Sequence, residues 1–287
     1  MKHIHIILSF VMLASALSGC AADPIPSMSV TTLTITDGLN RTITLDIPAQ
    51  RIVSLAPSNT ELIYDVGAGS QLVGRDSFSN YPEEANQIQE IGGSMGQYNY
   101  EAITALQPDL VLAAEINTPE QVRSLETLGL TVYYLANPLD FDGLYENIRI
   151  VGQLSGHEPE AETLAGNLEA RVREVQVDLA GATTSPTVYY ELDATDPAQP
   201  YTLGSGTFGD YLISMAGGTN IGATIGKGWV QVSSEQILQS DPELILLGDV
   251  YSGVNPESLA ARPGWDVLSA VRNGRVVPFN DDLMSRP

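Results

Sequence analysis

Few residues of this chain could do covalent or metal chemistry. Histidine occurs only as His3, His5 and His157, and cysteine only as Cys20. His157 is the one histidine outside an apolar N-terminal segment. Zinc, haem-iron and Cys–His nucleophile chemistry therefore lack their usual ligands. A direct protein–metal bond would fall to carboxylates or tyrosines, and nothing concentrates them. Beside Gly156 and Pro159, His157 reads as a helix-entry residue. Gly204-Ser-Gly206-Thr-Phe-Gly209 matches the dinucleotide fingerprint G-x-G-x-x-G ahead of a helix. The segment before it is broken by Pro197 and Pro200 and makes a poor leading strand. No acidic residue closes a strand about twenty positions later, as that fingerprint requires. A turn is the better reading.

The remaining candidates are aromatic and acidic side chains, and their elements are legible. Arg51–Ala85 reads as a β-α-β unit. Ile52–Leu55 is a short apolar strand, and Pro57 biases Ala56 away from the helical region. Ser58-Asn-Thr-Glu61 has the form of a capping box, followed by a short helix with Leu62, Ile63 and Val66 on its buried stripe. Gly67 or Gly69 supplies the left-handed cap. A second strand, Gln71–Arg75, leads into a loop with Phe78, Tyr81 and Pro82. Upstream, Thr32–Leu45 alternates around Asp37-Gly38 as a β-hairpin.

Downstream, the spacing predicts a helix from Asn99 to before Pro108, a strand over Asp109–Ala113, a helix over Glu120–Leu128 and a strand over Thr131–Leu135. This alternation calls for a parallel sheet covered on both faces. Asp142–Leu154 is helical. In Glu158–Ala180, Ala161, Leu164, Ala165, Leu168, Val172, Val175 and Leu179 recur every three or four residues, a helix of roughly 35 Å.

After Pro186 the pattern restarts. Glu101-Ala-Ile103…Pro108-Asp-Leu110-Val-Leu112 matches Glu235-Gln-Ile237…Pro242-Glu-Leu244-Ile-Leu246, and 235 − 101, 242 − 108 and 246 − 112 each equal 134. Thr207–Gly218 echoes Thr60–Gly69 more loosely, and Val271–Phe279 supplies a late strand. A unit that recurs in each half points to two similar lobes. Glu101 and Glu235 fall in the first turns of matching helices after the N-caps Asn99 and Ser233. Opposing the helix dipole there is worth ~0.3–1 kcal/mol and accounts for an acid without any function.

Formal charge is −22, and Lys2 and Lys227 are the only lysines. Such a surface repels phosphate backbones, which argues against a nucleic-acid partner. Ile4–Leu17 is too short to span a bilayer but suits a signal-peptide core, and Leu17-Ser-Gly-Cys20 has the form of a lipobox. Cys20 is then the lipidation site, and residues 20–30, with Pro24 and Pro26, a tether.

Ser54–Glu61, the Gly67–Gly69 turn, Leu72-Val73-Gly74 and Ser79-Asn80-Tyr81-Pro82 together resemble the first lobe of the class III, helical-backbone substrate-binding proteins of ATP-binding-cassette importers. These capture cobalamin, ferric siderophores or haem. Trp229-Val-Gln231-Val-Ser233-Ser-Glu235 resembles the same family's run ending at the second lobe's docking glutamate. The resemblance runs from about Asp37 to the last residue. It implies two similar α/β lobes with central parallel sheets joined by one long rigid α-helix: an N-terminal lobe over 31–140, connector helices over 141–184 and a C-terminal lobe over 185–287, after the signal peptide over 1–19 and the tether over 20–30. The chain stops at Ser285-Arg-Pro287 where the family continues into a helix, so the second lobe is expected to lack one covering element.

The resemblance further implies a ligand held between the lobes by flat aromatic faces. Phe78, Tyr81 and Tyr98 are the first lobe's candidates, and Tyr201, Phe208, Lys227, Trp229 and Asp281 the second's. Glu101 and Glu235 would dock on the permease subunits. No catalytic residue, resident metal or cofactor is expected. The reading is a monomeric, lipid-anchored, extracytoplasmic binding protein that captures a metal chelate, cobalamin or a ferric siderophore, with haem as the alternative. An oxidoreductase on a Rossmann-like lobe and a surface adhesion lipoprotein are the rivals from other classes.

Overall fold

Asp37 makes the first turn. In this computed structural model, which describes residues 32–93 and 96–286, strands β1 (Leu33–Thr36) and β2 (Thr42–Leu45) pair antiparallel around it. Its carboxylate accepts the backbone N–H groups of Leu39 and Arg41 and pairs with the Arg41 guanidinium. Those partners hold its carboxyl below the usual range although burial opposes them. The lipobox, Cys20 and the tether lie outside the described residues.

The first lobe is a parallel sheet of β3 (Ile52–Ser54), β4 (Leu72–Arg75), β5 (Leu110–Ala114) and β6 (Val132–Leu135), in the order β4-β3-β5-β6. Helices α1 (Pro57–Asp65), α2 (Tyr100–Ala105) and α3 (Pro119–Thr127) connect these strands. Both faces are covered: Ile52, Leu110 and Leu112 pack on one side, and Val53, Val111 and Ala113 on the other. That explains why its strands read as near-continuous apolar runs. Pairs α4 (Phe141–Ser155) and α5 (Glu158–Leu179) follow. They approach so closely that a Cβ on Gly152 would sit 2.4 Å from that of Ala161, and Gly156 turns between them at φ +78°.

The second lobe repeats the topology. Strands β7 (Thr187–Glu191), β9 (Thr219–Asn220), β11 (Leu244–Leu247) and β12 (Val276–Pro278) are ordered β12-β11-β7-β9. In chain order each sheet therefore reads second, first, third, fourth. A separate ribbon pairs β8 (Tyr201–Leu203) with β10 (Trp229–Gln231). Helices α6 (Phe208–Met215), α7 (Ser234–Ser240), α8 (Pro256–Ala260), α9 (Ser269–Arg272) and α10 (Asp282–Ser285) complete it. The 134-residue offset extends to details. Asn99 and Ser233 both cap their helices. Gln107 and Asp241 both take left-handed φ, +46° and +41°. Asp109 accepts the N–H of Arg51, and Glu243 that of Thr187.

Two expectations are corrected. Ser58 does not cap α1: Ala56 is the extended N-cap residue, without a side-chain bond, and Pro57 fills the first helical position. There its missing N–H costs nothing. The apolar stripe of α5 packs only in its first half, where Ala161 and Ala165 are buried, while Val175 and Val177 are exposed. Among the described residues no helix is long and apolar enough to cross a membrane.

A buried ionic cluster closes the second core. Arg262 donates to both oxygens of Glu191 at 2.6 and 2.7 Å, and its guanidinium stacks 4.7 Å from the Trp265 ring. Beside them, neither carboxylate oxygen of buried Asp249 has a hydrogen-bond partner. Burial first, and then the charge of Glu191, push its carboxyl from 3.8 up to about 6. Between those values the folded state holds the extra proton, so stability falls as pH rises through this window. The loss is at most about 3 kcal/mol at 1.36 kcal/mol per unit. Asp249→Asn is expected to gain stability over the wild type from acid to neutral pH in denaturant unfolding; a constant difference would refute the assignment.

Candidate functional site

The loops at the carboxyl ends of the first sheet open into a cavity of about 750 Å³. This is where open α/β sheets bind ligands, beside the switch between the first and third strands. Ala56, Pro57 and Ser58 enter from the end of β3, Phe78 from the loop after β4, Glu115 and Ile116 from β5, and Pro138 and Leu139 from β6. The second lobe contributes Gly206–Gly209, Trp229 at the start of β10, and Asp281, Asp282, Met284 and Arg286 around α10.

Four predicted residues therefore meet here: Phe78, Phe208, Trp229 and Asp281. Phe78 and Trp229 are 54% and 47% exposed, so neither is spent on core packing. The other tryptophan, Trp265, is fully buried. Phe208 meets the ring of Phe141 edge-on at 5.8 Å, and Tyr211 meets Phe141 at 5.3 Å. Phe208 is thus both cavity wall and part of an aromatic seam between α4 and α6. Asp281 accepts from the Tyr190 hydroxyl and, at 2.9 Å, from Ser285 Oγ. Burial and that carboxylate both push the Tyr190 phenol upward.

Four others do not line it. The Tyr98 hydroxyl donates to the Leu55 carbonyl at 2.8 Å and accepts from Asn117 Nδ2 at 2.7 Å. Burial raises its phenol to about 12, and it is a strut under the sheet edge. Tyr81 is exposed before the cis peptide to Pro82, outside the cavity wall. Tyr201 faces Gln231 across the ribbon and is also exposed. Lys227 bridges Ser205 in the backbone with its side chain in solvent.

Ile116, Leu139, Met284 and Arg286 were not foreseen. Ile116 and Leu139 are 70% and 63% exposed although they lie just past apolar strands. Large apolar side chains left open at strand ends were the available signal. Arg286 reaches across the cleft to Glu61 at 3.3 Å and Asn80 at 3.0 Å, and pairs with Asp282 at 3.0 Å. Burial raises the Glu61 carboxyl, and the Arg286 pairing only partly offsets it.

The glycine-rich turn has a packing explanation. It follows β8, which belongs to the ribbon and not to the central sheet. A Cβ on Gly204 would lie 2.5 and 2.6 Å from the carbonyl oxygens of Gly226 and Gly228. The glycine permits that backbone approach, so a phosphate site is not needed to account for it. No group of three or more His, Cys, Asp or Glu side chains among the described residues could hold a metal ion. Glu101 and Glu235 are each exposed at the second position of their helices.

The periplasmic binding protein family profile matches residues 52–283. A cobalamin-binding protein of Halobacterium salinarum is 32% identical over 264 residues, covering 88% of this chain and 69% of that one. An uncharacterized ABC transporter substrate-binding lipoprotein of Bacillus subtilis is 29% identical over 257 residues, covering 88% and 80%. The crystal structure of the periplasmic vitamin B12 binding protein of Vibrio cholerae superposes with a TM-score of 0.73 at 30% identity, covering 84% of this chain and 91% of that one.

Proposed function

The chain belongs to the periplasmic binding protein family, whose members serve ABC importers together with permease and ATPase partners, and from this we propose that it captures a preassembled metal chelate, a corrinoid first, and delivers it to such an importer. One observation supports the reading: Phe78, in the loop after β4, and Trp229, at the start of β10, lie 151 residues apart in sequence (229 − 78), are both half-exposed and line one cavity. Flat rings placed this way suit a flat macrocycle, and the volume lies within the ~300–1,000 Å³ of small-molecule sites.

The polar lining favours a corrinoid or a complete siderophore chelate over haem. Among the described lining residues no histidine, tyrosine, lysine or cysteine is present to ligate an open iron. Met284 is the one soft donor, and it is buried against α6. A corrinoid brings its own axial base, and a siderophore fills all the positions of its iron. The cobalamin and vitamin B12 relatives point the same way. Lipidation at Cys20, with attachment to the outer face of the cell membrane, is part of this reading, supported by the lipobox pattern and by the name of the lipoprotein relative.

The test is a panel read by quenching of tryptophan fluorescence. Cyanocobalamin is expected to quench saturably, ahead of a ferric hydroxamate and of haemin. Saturable binding of haemin alone would transfer the reading to haem, and no quenching by any of the three would end it. A Cys20→Ala variant is expected to move from the membrane to the soluble fraction, since no described helix can span; retention would refute the anchor.

A further inference from the structure

The charges lining the cavity are unbalanced. Among the described lining residues Glu115, Asp281 and Asp282 are acidic, and Arg286 is the one base. That base is already engaged. Its Nε pairs with Asp282 at 3.0 Å, and its Nη1 donates to Asn80 Oδ1 at 3.0 Å and to Glu61 at 3.3 Å. The Arg286 side chain is 15% exposed, so an anion entering the cavity would have to draw it away from three acceptors. Lys227, two residues before Trp229, does not line the cavity.

Two carboxylates are left without a cation. Glu115 stands just past β5 in the first lobe, exposed, and pairs with no base among the described residues. Asp281 stands at the head of α10 in the second lobe, where its partners are the neutral hydroxyls of Tyr190 and Ser285. Hydroxyl donors orient a carboxylate and do not cancel its charge. Cargo held between the lobes therefore meets an acid on each side. Aromatic faces such as those of Phe78 and Trp229 also favour cations over anions.

The whole chain is acidic, at −22. At physiological ionic strength, however, exposed charges farther away than about 8 Å are largely screened. The two cavity acids act at contact range, where a unit charge on the cargo changes affinity by about tenfold.

We propose that Glu115 and Asp281 are specificity-determining residues that set the charge class of the cargo, admitting neutral and cationic chelates and turning away anionic ones. This deepens the cargo reading and rests on the cavity being the cargo site. A corrinoid fits, because the primary amides around its rim can donate to carboxylates. A cationic ferric hydroxamate fits as well. Tris-catecholates, citrate-type chelates and haem, with its propionates, form the excluded class.

The test holds the macrocycle constant and varies its charge. At mildly acid pH and physiological salt, aquacobalamin is the cation, cyanocobalamin the neutral form and a cobalamin monocarboxylic acid the anion. The methyl ester of that acid controls for the lost amide. In the wild type the anion is expected to bind about tenfold more weakly than the cation, and the ester to bind more tightly than the acid. Glu115→Gln should narrow the anion-to-cation ratio of Kd values to about threefold. Asp281→Asn, whose amide oxygen can still accept from Tyr190 and Ser285, should narrow it too. Glu174→Gln, on the exposed half of α5 and outside the cavity lining, should leave the ratio as it is. Equal binding of anion and cation would overturn the proposal, as would an ester as weak as the acid or an equal narrowing by Glu174→Gln. If no corrinoid binds, the corrinoid reading fails. The charge rule is then decided with a linear ferric trihydroxamate whose terminal amine is free, acetylated or succinylated. If neither series binds, both readings fall.

Discussion

Trp229→Ala is expected to weaken cargo binding by about 1–3 kcal/mol, roughly 5–150-fold in Kd, while leaving the fold intact. The ring stands at the start of β10, half-exposed, with the cavity on one side and no core cluster claiming it. Removing it deletes contact area that matters only when cargo is present. Trp265→Ala is the internal contrast. That ring is fully buried among Tyr189, Leu259 and Leu268 and carries the Arg262 guanidinium on its face. Its loss leaves a cavity and loosens the Glu191–Arg262 pair, costing about 3–5 kcal/mol. In a chain of this size that lowers the melting temperature by roughly 6–20 °C. Melting temperature and Kd measured on both variants separate the two roles. If Trp229→Ala melts early and its folded fraction binds normally, the ring is structural and the cleft reading fails.

What the amino-acid pattern could show depended on whether the local signal and the tertiary outcome shared a cause. The repeat was legible because helix caps, the proline break and the apolar strand act within a dozen residues. Asn99 and Ser233 therefore cap equivalent helices, and the structure adds the left-handed turns at Gln107 and Asp241. The reading of Ser58 failed because Pro57, one residue earlier, already occupies the first turn. The stripe on α5 was real as a pattern, but periodicity cannot say how far a partner extends, and its partner α4 packs on the first half only.

In the site, Phe78 was legible as an aromatic ring in a loop, where burial is not the default, and Trp229 through the run Trp229–Glu235 that resembles the family, although the ring stands at the start of a strand. Tyr98 looked the same, but its hydroxyl found the Leu55 carbonyl and Asn117, both distant in sequence. Ile116 and Leu139 were missed because they follow apolar strands and read as their continuation. Only the end of the pleated sheet, which turns them into the cavity, reveals them.

Reversing both Glu101 and Glu235 to lysine is expected to abolish stimulation of a reconstituted cognate importer while leaving the Kd for cargo unchanged. Each glutamate occupies the second position of its helix, α2 in one lobe and α7 in the other, with its side chain in solvent. Their contribution to folding is the dipole term, ~0.3–1 kcal/mol apiece, so the reversed protein should still fold. Against cationic partners at an interface the balance differs. Losing a close charge pair costs about 2–5 kcal/mol, and a like charge in its place adds repulsion. Two such losses, one per lobe, exceed what a transient docking complex can absorb. A single reversal should weaken coupling in part, since the other lobe still engages. Neutral Glu→Gln changes at both sites should fall between. The reading fails if the doubly reversed protein stimulates the importer normally, or if its cargo Kd shifts by as much as its coupling. In the first case the acids serve only their helix dipoles; in the second they act on the cavity, which neither of them lines.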